Sequence, residues 1–292
     1  GAISDFHGKC TVKACTFTNN TCTNFGTAIQ LQNNTANLTV SSSTFTGNTS
    51  AFMGGGIQIE AGSAVVEGCT FDSNTAVQHG GALQLETANS LVMVNNSTFL
   101  RNKTLGTGDS GNGSAFLMLT LGQAMINGCF VEGNGIDNDS GDNYGGLIKA
   151  NGSSCLMISN TVFQDNFSNT HGEMQINSNS LFANVTLVGK YPSVRIPNEG
   201  GKNVWVNSVL LNIKGSNWKT QSVNADQWAN PKKAINVALK GGCIHNGYIH
   251  HNAETSTITK TATDVDNADY AALGVSKNAE GKYVIGSYPA GW

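Results

Sequence analysis

The 292-residue sequence predicts an all-β fold, a parallel β-helix of about nine coils, and three observations predict it. A Phe-x-x-Asn element recurs at Phe17/Asn20, Phe45/Asn48, Phe71/Asn74 and Phe99/Asn102, then as Val131/Asn134 and Phe163/Asn166. Looser copies stand at Leu187/Lys190, Val209/Asn212 and Ile249/Asn252, and most steps are 22 to 32 residues. Five residues before each apolar position is another: Val12, Val40, Val66, Val94, Ile126, Ile158, Phe182, Val204 and Ile244, a column with no polar member. The triplets Ile29-Gln30-Leu31, Ile57-Gln58-Ile59 and Leu83-Gln84-Leu85 supply the third observation, an alternation of period two.

Each element follows from its local chemistry. Between the two apolar columns stands Ser42, Gly68, Asn96, Gly128, Asn160, Asn184 or Asn246, mostly types that tolerate a left-handed backbone, so the chain turns there. About three short strands per coil are expected, with the Gln of each triplet pointing outward. One coil cannot bury its own apolar face, so coils must stack, each strand pairing in parallel with its equivalent about 4.8 Å away. Nine such steps make a rod on the order of 40 Å long. The Asn of each element then falls at one height, where amides bond along the stack as a ladder. Around Trp205 a register shifted by one residue also fits.

Composition excludes some classes. Net charge is −3, charged residues make up 12% and there are two Arg, so the clustered cations that meet a nucleic-acid backbone are missing. No apolar run approaches the roughly 20 residues that span a bilayer, and neither end reads as a secretory leader, so a soluble chain, mature or truncated, is expected. Sequons such as Asn37-Leu38-Thr39 and Asn102-Lys103-Thr104 point to an exported protein. With seven Cys, complete pairing within one chain is impossible. Cys15, Cys69 and Cys129 share a column with Ser43, Ser97 and Thr161, so alternate coils keep their sulfurs beyond disulfide reach, and they read as small buried thiols. Cys10, Cys15 and Cys22 fall in one terminal coil with room for one bond.

Cys69-Thr70-Phe71-x-x-Asn74 followed by Gly80-Gly81-Ala82-Leu83 resembles the repeat of right-handed, single-stranded parallel β-helix surface proteins. These are the polymorphic outer-membrane proteins and the pectin-lyase-like β-helices of Bacteroidetes. The resemblance covers residues 10 to 212, and the closing "NADYAALGVSKNAEGKYVIGSYPAGW" is similar to the tail with which many such bacterial proteins finish. It implies a secreted or cell-surface protein, associated with the outer membrane, and a carbohydrate partner. The fold itself hosts lyases, hydrolases, adhesins and spikes.

Domain organisation follows: a β-helix over 1–252 with an excursion at about 213–241, then a cap over 253–292 that covers the open coil end. Within the excursion Asn230 caps, Pro231 opens and Gly241 closes one short helix. His245, His250 and His251 read as solvated residues of the last coil.

Four constellations are candidates for chemistry. The gap from Asn to the following Gly lengthens to eleven residues in two adjacent coils, bringing Asp109 toward Asp137, Asp139 and Asp142, an oxygen-rich cluster suited to Ca²⁺. Glu60 and Glu86 stack on adjacent coils beside the Gln30, Gln58 and Gln84 row, as glycosidase carboxylate pairs do, although a screened surface pair is the plainer reading. The position before each Gly pair reads Phe25, Met53, His79, Asn112, Tyr144 and His171, a strip that could stack on sugar rings while Gln58 and Gln84 bond hydroxyls, although corner packing is the plainer reading. Lys190 and Arg195 are the pair to test as lyase base and uronate partner, since Lys190 replaces a ladder Asn and Arg195 lies in the adjoining excursion. Convergent acids and bases are scarce, so glycan binding or surface adhesion without catalysis is expected, with a polysaccharide lyase or glycoside hydrolase as the alternative.

Overall fold

The chain is described by a computed structural model for residues 1–4, 7–105, 115–136, 146–151, 154–167, 174–176, 178–189, 194–195, 203–206, 208–212, 243–245, 248–249, 265–266, 274, 276–284 and 286–287. Each of the first five coils visits four sheets in turn, and the later described coils keep to the first three. Sheet A holds eight strands from Ile3–Ser4 through Ile57–Ile59 to Val194–Arg195, and sheet B nine from Lys9–Lys13 to Cys243–His245. Sheet C holds ten from Thr16–Thr18 to Val265–Asp266, and sheet D five two-residue strands from Thr21–Cys22 to Gly135–Ile136. Every pairing in these four is parallel and joins one coil to the next, like residue over like residue, as in Val66 over Val94 and Phe71 over Phe99. The fourth sheet corrects the expectation of three strands per coil. Its strands, such as Thr75–Ala76, are too short for alternation to reveal them.

Ser42, Gly68, Asn96, Gly128, Asn160 and Asn184 all have positive φ, between 48° and 64°, which is why Gly and Asn dominate that corner. Inside, Phe17, Phe45, Phe71 and Phe99 stack face to face at 4.8, 4.5 and 4.8 Å, within 8° of parallel. The small residues Ala28, Gly56 and Ala82 stand across from them; a Cβ on Gly56 would come within 3.0 Å of the Phe71 ring. Where Val131 interrupts the stack, Phe116 takes the position opposite and fills the space, lying edge-on to Phe99 at 4.5 Å and to Phe163 at 6.1 Å. Volume is conserved by exchange across the core.

The Asn ladder forms from Asn20 through Asn48, Asn74, Asn102 and Asn134 to Asn166. Each Nδ2 donates to the Oδ1 of the next Asn, at 2.8 to 3.1 Å. From Asn48 onward, Nδ2 also donates to the carbonyl of the column residue one coil back, as Asn102 does to Phe71 at 3.0 Å. Asn102 is wholly buried in this ladder, so its sequon offers no glycosylation site in the folded chain, whereas Asn37 is exposed.

Three further expectations are settled, and part of the tail is described. In the eighth coil Trp205, not Val204, lies in register with Phe182, and Leu210 rather than Val209 with Leu187, so the shifted register is the one the backbone takes. Cys69 and Cys129 are buried thiols, but Cys15, in the first described coil, is exposed. Cys10, Cys15 and Cys22 are free. Of the tail, Ser276–Lys277 and Tyr283–Val284 form an antiparallel hairpin that lies on the flank of the fifth and sixth coils. There Gln164 Nε2 donates to the Gly281 carbonyl at 3.0 Å, the Tyr283 amide donates to Gln164 Oε1 at 3.0 Å, and Lys277 pairs with Asp165 at 2.8 Å. The predicted helix at 230–241 and most of 253–292 lie outside the described residues, as do His250 and His251.

Candidate functional site

Among the described residues, sheet A is the sheet whose outer side is buried over five successive coils. Gln30, Gln58, Gln84, Met118 and Lys149 lie in register along it, and every one is at most 8% exposed. Alternation correctly places them on the outer face, but the expectation that this face is open to solvent is corrected. The cause lies four residues upstream: Gly26, Gly54 and Gly80, at φ 60°, 72° and 65°, fold the preceding turn back over the row. A Cβ at Gly54 or Gly80 would stand 2.8 or 2.7 Å from the Cβ of Gln58 or Gln84, so only glycine allows this approach. The backbones of Phe25, Met53 and His79 bridge in parallel from coil to coil beside those turns.

The amides of the row do not bond to each other. Gln84 Nε2 donates to Met53 Sδ at 3.0 Å, and Gln58 Nε2 donates to Glu86 Oε2 at 3.1 Å. Both carbonyl oxygens, Gln58 Oε1 and Gln84 Oε1, are buried without a donor. Such orphans cost about 1 to 3 kcal/mol each and demand an explanation.

Along one margin of the row run Gln32, Glu60, Glu86, Thr120 and Asn151, each next to its equivalent one coil away. Gln32 Nε2 donates to Glu60 Oε2 at 3.3 Å. Burial first, and then the charge of Glu60, push the Glu86 carboxyl above its ordinary value of 4.5, while the bond from Gln58 opposes the rise. Among the described residues neither Glu60 nor Glu86 has a cationic partner; the ion pairs there are Arg101 with Asp72, Lys277 with Asp165 and Lys282 with Glu280. At Glu60 and Glu86 the margin is therefore rich in acceptors, with one side-chain donor to each, from Gln32 and Gln58.

The structure brings together Gln58, Gln84, Glu60 and Glu86, with His79 on the opposite margin. Tyr144, His171, Asp109, Asp137, Asp139, Asp142 and Lys190 lie outside the described residues. Arg195 ends sheet A opposite Gln175, which puts its backbone at the far end of the same row. Among the described residues no three His, Cys, Asp or Glu side chains gather as a metal site. Two members escaped sequence reasoning: Gln32, whose signal is its place one coil before Glu60, and Met118, whose signal is its place in the Gln column.

Among the described residues no helix is long and apolar enough to cross a membrane. No curated protein and no solved structure matches the chain. A family described as the right-handed β-helix region matches residues 3–162, which carry the Phe17 to Phe99 stack, the Asn ladder as far as Asn134 and the whole buried Gln row. That match spans more than half of the sequence and agrees with the parallel register coil by coil, and the chain belongs to the right-handed β-helix family.

Proposed function

We propose that this chain is a secreted or cell-surface β-helix that binds glycan along the outer face of sheet A, without catalysis. The observation that carries the reading is the partly exposed polar margin of Gln32, Glu60, Glu86, Thr120 and Asn151, which repeats at the coil spacing beside the buried Gln row. Hydrogen-bonding groups open to solvent at one regular spacing support recognition of a repeating, hydroxyl-rich polymer. The strip of Phe25, Met53 and His79 adds an apolar and imidazole edge suited to sugar rings. A glycan array probed with the full chain and with Thr120→Val is the test. Binding that weakens in the variant supports the reading, and a chain that binds no glycan overturns it.

One observation favours a second reading, a glycoside hydrolase. Glu60 and Glu86 stand one coil apart, about 4.8 Å at the backbone, near the separation of roughly 5 to 5.5 Å between retaining carboxylates, and Glu86 is the one biased to hold a proton. Release of reducing ends from an oligosaccharide panel, abolished by Glu60→Gln and by Glu86→Gln alike, would establish that reading over simple binding.

A further inference from the structure

We infer that the outer face of sheet B binds a soft monovalent metal ion, Cu(I), through the thioethers of Met93, Met125 and Met157 and the thiolate of Cys155. The inference is independent of the glycan reading, which concerns another sheet. Met93 lies beside Met125, and Met125 beside Met157, in parallel register on strands Ser90–Asn95, Gln123–Asn127 and Cys155–Ser159. Alternation is strict on these strands: the residues on either side of each Met point into the core, and the three Met point out, 38%, 38% and 39% exposed. Cys155, two residues before Met157, shares the outward face and is an exposed free thiol. Apart from Cys15, every exposed sulfur side chain among the described residues lies in this patch.

Strand propensity does not account for the run. Half-open strand faces favour β-branched and aromatic residues, and the same column reads Thr11, Thr39 and Val65 before the Met residues and Leu181 after them. A protein-sized partner does not account for it either. The apolar stripe is one side chain wide, bordered by Asn95, Asn127 and Ser159 on one side and by Gln123 and Asn179 around Cys155 on the other, with Leu91 its one apolar flank. That is too narrow for a docking patch of several hundred Å². What the patch offers is sulfur at a fixed pitch. Successive Met stand about 4.8 Å apart at the backbone, and a thioether on three rotatable bonds swings over that distance, so the sulfurs can close on one ion while the strands stay in place. Thioether and thiolate donors select Cu(I), whereas hard cations such as Ca²⁺ need oxygen anions, and the outward positions of these three strands carry no carboxylate. On binding, Cys155 gives its proton to solvent, and its thiolate neutralises the charge of the ion.

The test is NMR of the full chain labelled with ¹³C at the Met methyl groups, under anaerobic conditions, with free Cu(I) set by a chelator buffer. Ag(I) serves as a redox-inert probe in a second arm, and Zn²⁺ and Ca²⁺ in two more. The signals of Met93, Met125 and Met157 are expected to shift together with one midpoint in Cu(I) and in Ag(I), while those of buried Met118 and Met174 stay in place and neither Zn²⁺ nor Ca²⁺ moves any of them. Met125→Leu keeps the volume and removes the sulfur, and is expected to raise the midpoint for Met93 and Met157 by about tenfold or more. Cys155→Ser is expected to raise it similarly and to abolish its dependence on pH; melting curves establish that both variants are folded. Three signals that stay in place, that move one at a time, that respond to Zn²⁺ or Ca²⁺, or whose midpoint ignores either substitution overturn the inference.

Discussion

Two rows of buried amides run along this solenoid, and they are built oppositely. In the Asn ladder the side chains bond along the axis, with each Asn from Asn48 to Asn134 accepting from the coil before and donating to the coil after. In the Gln row the side chains bond sideways, to Glu86 and Met53, and two carbonyls are left over. Both rows are in register and both are buried, so neither repetition nor burial explains the difference. Side-chain length does: Asn at the bend is short enough to reach only its own column, while Gln on a strand reaches across to the next one. The satisfied row holds coils together; the unsatisfied row has a polarity that stability does not need.

Stability measurements break or sharpen this contrast. Asn102→Ala strips partners from the Asn74 amide, the Asn74 side chain and the Phe71 carbonyl, and is expected to cost about 3 kcal/mol or more in urea unfolding. The next effect is chemical. Cys129 lies inside the coil, where burial pushes its thiol up to about 11, and alkylation at pH 8 is expected to be slower by about 100-fold than at exposed Cys155, as mass mapping would show. Gln84→Met reproduces the Met118 arrangement and is expected to change stability by less than about 1.5 kcal/mol; a loss as large as that of Asn102→Ala would erase the distinction between the rows.

The smallest effect concerns pH. The Glu86 carboxyl is raised in the folded chain, so ionising it is harder there than in the unfolded chain. Stability from this group is therefore lost, not gained, as pH rises through 4.5 and the raised folded value. Glu86→Gln is expected to raise the melting temperature at pH 7, by a gain under about 1 kcal/mol after solvent screening, and the gain should vanish well below pH 4.5. A variant less stable than the parent at pH 7 would mean that the carboxylate is compensated after all.

Much of this was legible before any coordinates. The Phe and Asn columns and the Ser, Gly or Asn corners repeat along the chain because each coil copies its neighbour's geometry, so a one-dimensional pattern carries three-dimensional register. Burial of the Gln row was not legible, because alternation reports which face a side chain takes and says nothing of what folds over that face. The signal was present as Gly54 and Gly80 four residues before Gln58 and Gln84, a spacing that acquires meaning only when the turn is seen. Trp205 was ambiguous because Val204 is equally apolar, and only the neighbouring Phe182 decides between them. The docking of the tail on Gln164 was beyond reach, since partners 117 and 119 residues apart share no periodicity.

That docking has a mechanical consequence. A solenoid in which each coil touches only its neighbours transmits tension coil by coil, and a pull on its last strand would unwind it from the end. Here the hairpin at 276–284 is fastened to Gln164 and Asp165, upstream of sheet B strands at 179–183, 203–206 and 243–245. Force applied beyond residue 284 reaches the sixth coil first and leaves the later ones slack. The clasp must peel before they bear any load.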